Sequence, residues 1–254
     1  MIVKRPAFTA DLPAIREIWS AAFPEDSASD RDRFLKTVRL SEECLLAVEN
    51  GTPISMVFTL PVTYGTRRLQ YIYAAATLPS HRGRGLFAEL LNTALSQARE
   101  QGVTASFLRP AELSLVRYYA RFGYRPWCGC HTETGEAGPS GERITVLSPA
   151  EFTERRTALL PTDAVGWEPR FTAYAASCGL VLGTERAVAL CYVQGETLFI
   201  KELLGDADPA ALSAAAGCDR YVWRRMNGDE PFMLWLPFED EELRAAPYVG
   251  LALD

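Results

Sequence analysis

The period of the hydrophobic positions changes several times along this chain, and each change predicts an element. Residues 2–4 read as a short strand. Asp11 is placed to cap a helix whose apolar positions Ile15, Ile18 and Trp19 keep the helical period to about residue 23. A second helix is predicted over residues 30–38. Residues 44–48 and 54–60 are apolar runs on either side of Asn50-Gly51, the dipeptide best suited to a tight hairpin turn, so they form two antiparallel strands. Residues 68–77 make the next strand. Its run Ile72-Tyr73-Ala74-Ala75-Ala76 does not alternate with polar residues, which fits a strand covered on both faces. Leu86, Leu90, Leu91, Ala94, Leu95 and Ala98 then mark one side of a helix that stops near Gln101-Gly102. A strand over 103–108, a helix over 112–121 ended by Gly123, and a strand over 124–130 follow.

The Gly-, Pro- and Ser-bearing stretch 132–142 reads as a linker. Beyond it the pattern begins again, with helices over 149–160 and 170–178 and strands over 180–182, 187–193 and 197–203. A short Ala-rich helix over 209–216 and a strand over 220–224 complete the series. The order of helices, hairpin, strand, helix and strand repeats that of the first half, so an internal duplication is expected.

The two halves differ at the junction between strand and helix. In the first, Tyr71-Ile72-Tyr73-Ala74-Ala75-Ala76-Thr77 passes through Leu78-Pro79-Ser80 into His81-Arg82-Gly83-Arg84-Gly85 and then the helix that opens Leu86-Phe87. A glycine-bearing loop at a helix start offers backbone N–H groups and the positive end of the helix dipole, a combination that suits a pyrophosphate. Gly83 and Gly85 let the backbone approach closely, and Arg82 and Arg84 add charge. At the matching place the second half has Gly205-Asp206-Ala207-Asp208-Pro209, whose aspartates repel such an anion. The anion site therefore belongs to the first half.

Charge follows the same division. The chain is acidic overall, with a net charge of −6, yet residues 62–125 hold nine Arg, no Lys and three Glu. A basic island in an acidic protein suits a small anionic ligand and argues against an extended polyanion or a membrane surface, so neither nucleic acid nor membrane is an expected partner. No apolar run is long enough to span a bilayer, and residues 1–11 lack the apolar core of a signal peptide. Six scattered cysteines in a chain this size read as reduced thiols, which places the protein in the cytoplasm. Cys128-Gly129-Cys130-His131 has no second ligand pair at metal-binding spacing, and no metal is expected.

Arg82-Gly83-Arg84-Gly85-Leu86-Phe87 resembles the Gln/Arg-x-x-Gly-x-Gly/Ala signature of the GNAT family of acetyl-CoA-dependent N-acetyltransferases, with Phe87 in place of the small last residue. Tyr118-Tyr119-Ala120-Arg121-Phe122-Gly123-Tyr124 resembles that family's Tyr-x-x-Phe-Gly-Phe/Tyr ending. The resemblance covers about the first 130 residues. It implies a GNAT fold, a mixed central sheet with flanking helices, over 1–132. Residues 133–142 are then a linker and 143–254 a smaller, degenerate GNAT-like α/β domain, as in tandem acetyltransferases. It also implies acetyl-CoA as co-substrate, held by Arg82, Gly83, Arg84, Gly85, Leu86 and Phe87. A backbone N–H within Ala75, Ala76 and Thr77 would stabilise the oxyanion.

The reaction so implied is direct attack of an amine on the thioester, with no cysteine nucleophile. Tyr119 occupies the position of the acid that protonates the leaving thiolate. No carboxylate lies in residues 71–77 to serve as base, and Glu112 is the first candidate. His81, Glu25, Asp26, a water chain and the carboxylate of Asp254 are the others. The acceptor is expected to be a small-molecule primary amine, polyamine- or aminoglycoside-like. The acidic residues Asp229, Glu230, Glu239, Asp240, Glu241 and Glu242 are candidates for lining its route. A protein or peptide N-acetyltransferase, a non-catalytic acyl-CoA-binding sensor and a homodimer stay open.

Overall fold

A computed structural model describes residues 1–139, 141–239 and 248–253. The chain divides into two compact units, the first of Met1–Arg125 with a return segment beginning at Trp235, the second beginning at Pro126 and running to Leu234, with 248–253 added. The α/β class expected from the sequence is the class found.

The first unit starts with β1 (Ile2–Pro6), α1 (Leu12–Ala22), α2 (Ala28–Thr37) and a single turn, α3 (Leu40–Glu43). It continues with β2 (Cys44–Glu49), β3 (Thr52–Tyr64), β4 (Arg67–Thr77), α4 (Leu86–Glu100), β5 (Ala105–Leu108) and α5 (Val116–Ala120). The strands lie side by side in chain order, antiparallel except for β4 and β5, which α4 connects as parallel neighbours. Asn50 and Gly51 both take positive φ, as the β2–β3 turn requires. Residues 53–58 of β3 are all buried, so both faces of the sheet are covered. α1 contributes Ile15, Ile18 and Trp19, and the Trp19 ring meets Phe34, Phe58 and Tyr73 at centroid distances of 5.3, 5.8 and 5.9 Å. α4 packs Leu86, Leu90, Leu91, Ala94, Leu95 and Ala98 against β2, β3 and β4, the stripe its sequence announces.

Two local details differ from expectation. The Asp11 side chain does not cap α1. It accepts two hydrogen bonds from the Arg5 guanidinium, at 2.7 and 2.8 Å, and one from the Phe8 N–H at 2.8 Å, closing the turn before the helix. The helix predicted over 112–121 is shorter: a 3₁₀ turn at Leu113–Leu115 precedes the five residues of α5.

The second unit contains β6 (Arg125–Glu136), β7 (Thr145–Val146), α6 (Pro149–Leu159), β8 (Val165–Trp167), α7 (Pro169–Ser177) and β9 (Leu180–Gly183). It also contains β10 (Ala187–Gln194), β11 (Thr197–Gly205), α8 (Pro209–Ala215) and β12 (Arg220–Met226), and most of β13 (Glu230–Pro237), which carries the chain back to the first unit. Its strand order is β6-β12-β11-β10-β9-β7. β9, β10 and β11 are antiparallel, and β11 and β12 are parallel across α8, as β2, β3, β4, α4 and β5 are in the first unit. Residues 133–136, expected in a linker, continue β6 and pair with β12 from Glu133↔Trp223 to Glu136↔Arg220. Gly135 and the Gly, Pro and Ser residues beyond β6 give the stretch the composition of a loop, but the ladder to β12 fixes its first part as strand.

Candidate functional site

β4 is bent at the place where the sequence reads as a smooth run. Ala74 has φ +43°, and the β3–β4 register slips between Met56 and Phe58, so two residues of β4 stand opposite one of β3. β5 accompanies β4 only from Leu69↔Ala105 to Ile72↔Leu108. From Ala74 to Thr77 the edge of β4 turned away from β3 has no strand partner among the described residues. That segment contains Ala75, Ala76 and Thr77. Its end stays fixed to β3: Ser55 Oγ donates to the Ala76 carbonyl at 2.8 Å and lies 2.7 Å from Thr77 Oγ1, and the Leu78 N–H donates to the Ile54 carbonyl at 3.0 Å. A strand held on one side and open on the other presents backbone N–H groups to a ligand.

The loop that follows is built for an anion. Gly83 and Gly85 have φ of +75° and +76°, and a Cβ at either would meet no atom within 4 Å. Glycine is needed there for the left-handed backbone, and the space above it is open. Gly85 is the N-cap of α4 and supplies no side-chain cap. The first helical hydrogen bond runs from the Glu89 N–H to the Gly85 carbonyl at 3.0 Å, which leaves the N–H groups of Leu86, Phe87 and Ala88 ahead of it for a ligand. The matching helix of the second unit is closed. Asp208 caps α8, its Oδ1 accepting from the Ala210 N–H at 3.0 Å. A carboxylate already occupies the position an anion would take.

The two arginines of the loop are both engaged. Arg82, an exposed residue, donates from Nε to the Thr77 carbonyl at 3.2 Å, tying the loop to the end of β4. Arg84 uses both terminal nitrogens on Glu49, at 2.6 and 3.1 Å. His81 Nε2 lies 3.5 Å from the same carboxylate, and its Nδ1 is 2.9 Å from Ser80 Oγ. Glu49 was not among the residues singled out by sequence. It ends β2 thirty-five positions before Arg84, and no local motif connects the two.

Phe87 links this loop to the second motif. Its ring stacks on Tyr118 at 5.9 Å and meets Tyr119 edge-on at 6.1 Å. Tyr119 also contacts Tyr118 at 5.6 Å and Tyr124 at 5.9 Å. Tyr124 is buried with its hydroxyl 2.7 Å from Ser106 Oγ. Burial among these rings, reinforced by Tyr118, pushes the Tyr119 phenol up to about 12. Among the described residues the Tyr119 hydroxyl makes no hydrogen bond, so its proton is available to a ligand.

The other expected residues are more scattered. Glu112 is exposed, and its Oε2 accepts from Ser114 Oγ at 3.0 Å. Asp26 accepts from Trp19 Nε1 at 2.7 Å, and Glu25 is exposed. Asp254, Asp240, Glu241 and Glu242 lie outside the described residues. Among the described residues no three His, Cys, Asp or Glu side chains gather to hold a metal ion, and no helix is long and apolar enough to cross a membrane. No disulfide joins any of the six cysteines, of which five are buried. Burial pushes the Cys128 thiol up to about 12 and those of Cys44 and Cys191 higher still.

A parallel β4–α4–β5 crossover, a bent strand with an open edge, an uncapped helix start and a tyrosine with a free proton make a site suited to an anionic, phosphorylated ligand. Residues 4–127 match the family model described as the acetyltransferase (GNAT) domain. The chain thus carries a GNAT acetyltransferase domain over those residues. Solved structures agree on the fold along nearly the whole chain. A GCN5-related N-acetyltransferase from Kribbella flavida is 16% identical with a TM-score of 0.69, over 92% of this chain and 70% of that one. Eis1 from Mycobacterium abscessus is 16% identical with a TM-score of 0.68, over 93% and 73%. A GCN5-related N-acetyltransferase from Anabaena variabilis is 14% identical with a TM-score of 0.71, over 92% and 72%. No curated protein sequence matches the chain.

Proposed function

We propose that this protein transfers the acetyl group of acetyl-CoA to a primary amine of a small, cationic molecule, using a single donor site in its first unit. The observation that carries the reading is the contact of Phe87 with Tyr118 and Tyr119, which joins the anion-receiving loop to a tyrosine holding a free proton. The residues fit the donor. The N–H groups of Gly83, Arg84, Gly85, Leu86 and Phe87, with the terminal nitrogens of Arg82, would hold its pyrophosphate, and the open edge of Ala75, Ala76 and Thr77 would hold its acyl end. Bound there, acetyl-CoA supplies an activated thioester for direct attack by the amine.

Tyr119 holds its proton at Oη, shielded by Phe87, Tyr118 and Tyr124, where a leaving thiolate needs one. An alkyl amine near pKa ~10.4 is about 0.1% neutral at pH 7, so a base matters. Glu112, at the turn that leads into α5, is the carboxylate proposed for it. The second unit is read as a degenerate copy of the first. Its matching strand order supports this, and the Asp208 cap on α8 supports its lacking a donor site. The acidic balance outside residues 62–125 favours a cationic acceptor.

Isothermal titration with acetyl-CoA, followed by thiol release with a panel of polyamines, aminoglycosides and peptides, tests this reading. One donor per chain and turnover with small amines are expected. Turnover of peptides alone would move the acceptor to a protein N-terminus or lysine, and tight binding without turnover would make the protein an acyl-CoA-binding module. Tyr119→Phe is expected to lower kcat by about 10²-fold or more with little change in donor affinity. Glu112→Gln is expected to lower kcat by about tenfold or more, and an unchanged kcat removes Glu112 from the mechanism.

A further inference from the structure

The loop between β4 and α4 poses a mechanical problem. Arg84 stands between two glycines in left-handed conformations, and the helix start beyond them has no side-chain cap. Glycine has more conformational freedom to lose than any other residue, so this segment does not hold its shape by itself. Each arginine holds it from outside, and His81 Nε2 lies 3.5 Å from the Glu49 carboxylate that Arg84 grips. Arg82 reaches back to the Thr77 carbonyl of β4. Arg84 reaches across to Glu49, the last residue of β2, next to the Asn50-Gly51 turn.

The Arg84 contact is a fork. Nη2 is 2.6 Å from Glu49 Oε1 and Nη1 is 3.1 Å from Oε2, so both terminal nitrogens are committed to one carboxylate. Such pairing is specific to the planar guanidinium. For Arg84 to grip a phosphate with the same nitrogens it would have to abandon Glu49, exposing a carboxylate beside an incoming pyrophosphate. The pair therefore does two things in place: it fixes the middle of the loop to the sheet, and it neutralises Glu49. The Glu49 carboxyl is held below its usual range by the Arg84 hydrogen bond first, with weaker contributions from His81 and the amino terminus.

We propose that the Glu49–Arg84 pair is a tether that holds the loop in its anion-receiving shape, which makes both side chains positioning residues for the donor and leaves phosphate binding to Arg82 and the backbone. This rests on the acetyl-CoA reading above, and the test separates the two. Hydrogen exchange of residues 82–87 is measured in ligand-free wild type, Glu49→Gln, Arg84→Lys, Arg84→Met and the double variant Glu49→Gln/Arg84→Met. CoA affinity is measured by calorimetry on the same set.

A tether predicts faster loop exchange in every variant. It also predicts CoA binding weakened by about threefold to tenfold in each, as befits an exposed pair, with the double no worse than either single. Arg84→Lys should behave like Arg84→Met, because lysine keeps the charge and loses the fork. With saturating donor, kcat should stay near wild type while KM for acetyl-CoA rises. Unchanged loop exchange in Glu49→Gln overturns the proposal. So does tighter CoA binding in Glu49→Gln, or wild-type affinity in Arg84→Lys, either of which makes Arg84 a direct phosphate ligand. Failure of the wild type to bind CoA would defeat the donor reading, while the exchange measurement would still judge the tether.

Discussion

Tyr119 owes its chemistry to its neighbours. Packed against Phe87, Tyr118 and Tyr124, it has a phenol raised to about 12, so the protonated form persists through the whole range in which a protein is assayed. Because an acid works only while protonated, raising its pKa removes any alkaline loss of activity due to Tyr119 below about pH 11. The kcat profile of the wild type should therefore show no descending limb between pH 7 and 10, and a limb there that disappears in Tyr119→Phe would contradict the burial seen here. The sequence motif places a tyrosine at this position. It does not show that Phe87, a departure from the family pattern, is the residue that shields it, because that contact joins residues thirty-two positions apart. Glu49 was hidden for the same reason: its partner Arg84 is brought to it by the sheet, whereas hydrophobic periodicity reports only on neighbours three or four residues away.

At the scale of elements, helix starts distinguish the two units. α4 opens on Gly85 without a side-chain cap, and α8 opens on Asp208 with one. Asp208→Ala should cost the second unit about 1 kcal/mol in urea unfolding, the ordinary worth of an N-cap. Gly85→Ala places a Cβ in a left-handed backbone at the donor loop, and the expected outcome is loss of CoA binding by calorimetry with α4 still formed by circular dichroism. The junction difference was legible, since Gly83-Arg84-Gly85 and Asp206-Ala207-Asp208 differ in composition. The hairpin at Asn50-Gly51 and the α4 stripe were legible too, because each depends on local chemistry. The bend at Ala74 was not. Alanine carries no sign of a positive φ, and the Ile72–Ala76 run looks like any buried strand. Residues 133–136 differ in the opposite direction: the Gly, Pro and Ser residues around and after Gly135 suggest a linker where pairing with β12 makes a strand. β13 contains the continuous apolar run Phe232-Met233-Leu234-Trp235, whose lack of alternation leaves strand and buried helix indistinguishable by periodicity.

At the scale of the whole molecule, the units are stabilised by different means. The first has an aromatic cluster around Trp19. The second has a buried ion pair, Arg156 on α6 with Glu202 on β11 at 2.8 and 3.0 Å, 3% and 2% exposed. The Tyr248 hydroxyl bonds the same Glu202, and the residues that follow, Val249, Leu251, Ala252 and Leu253, are buried. Glu202→Gln leaves the Arg156 charge in the interior with half its partner, and a loss of about 3–5 kcal/mol in denaturant unfolding is expected. The double variant Arg156→Met/Glu202→Met should be less destabilised than the single, because it buries no charge.

The open edge of β4 has one further consequence, for the protein between turnovers. A strand edge with unsatisfied N–H and C=O groups adheres to any other extended chain, and folded proteins usually pair, cover or charge such edges. Here the segment from Ala74 to Thr77 carries no charged residue, and the donor is the group that would cover it. A donor bound as proposed would then do more than supply the acetyl group: it would shield a stretch of sheet edge through which two copies of the chain could zip together.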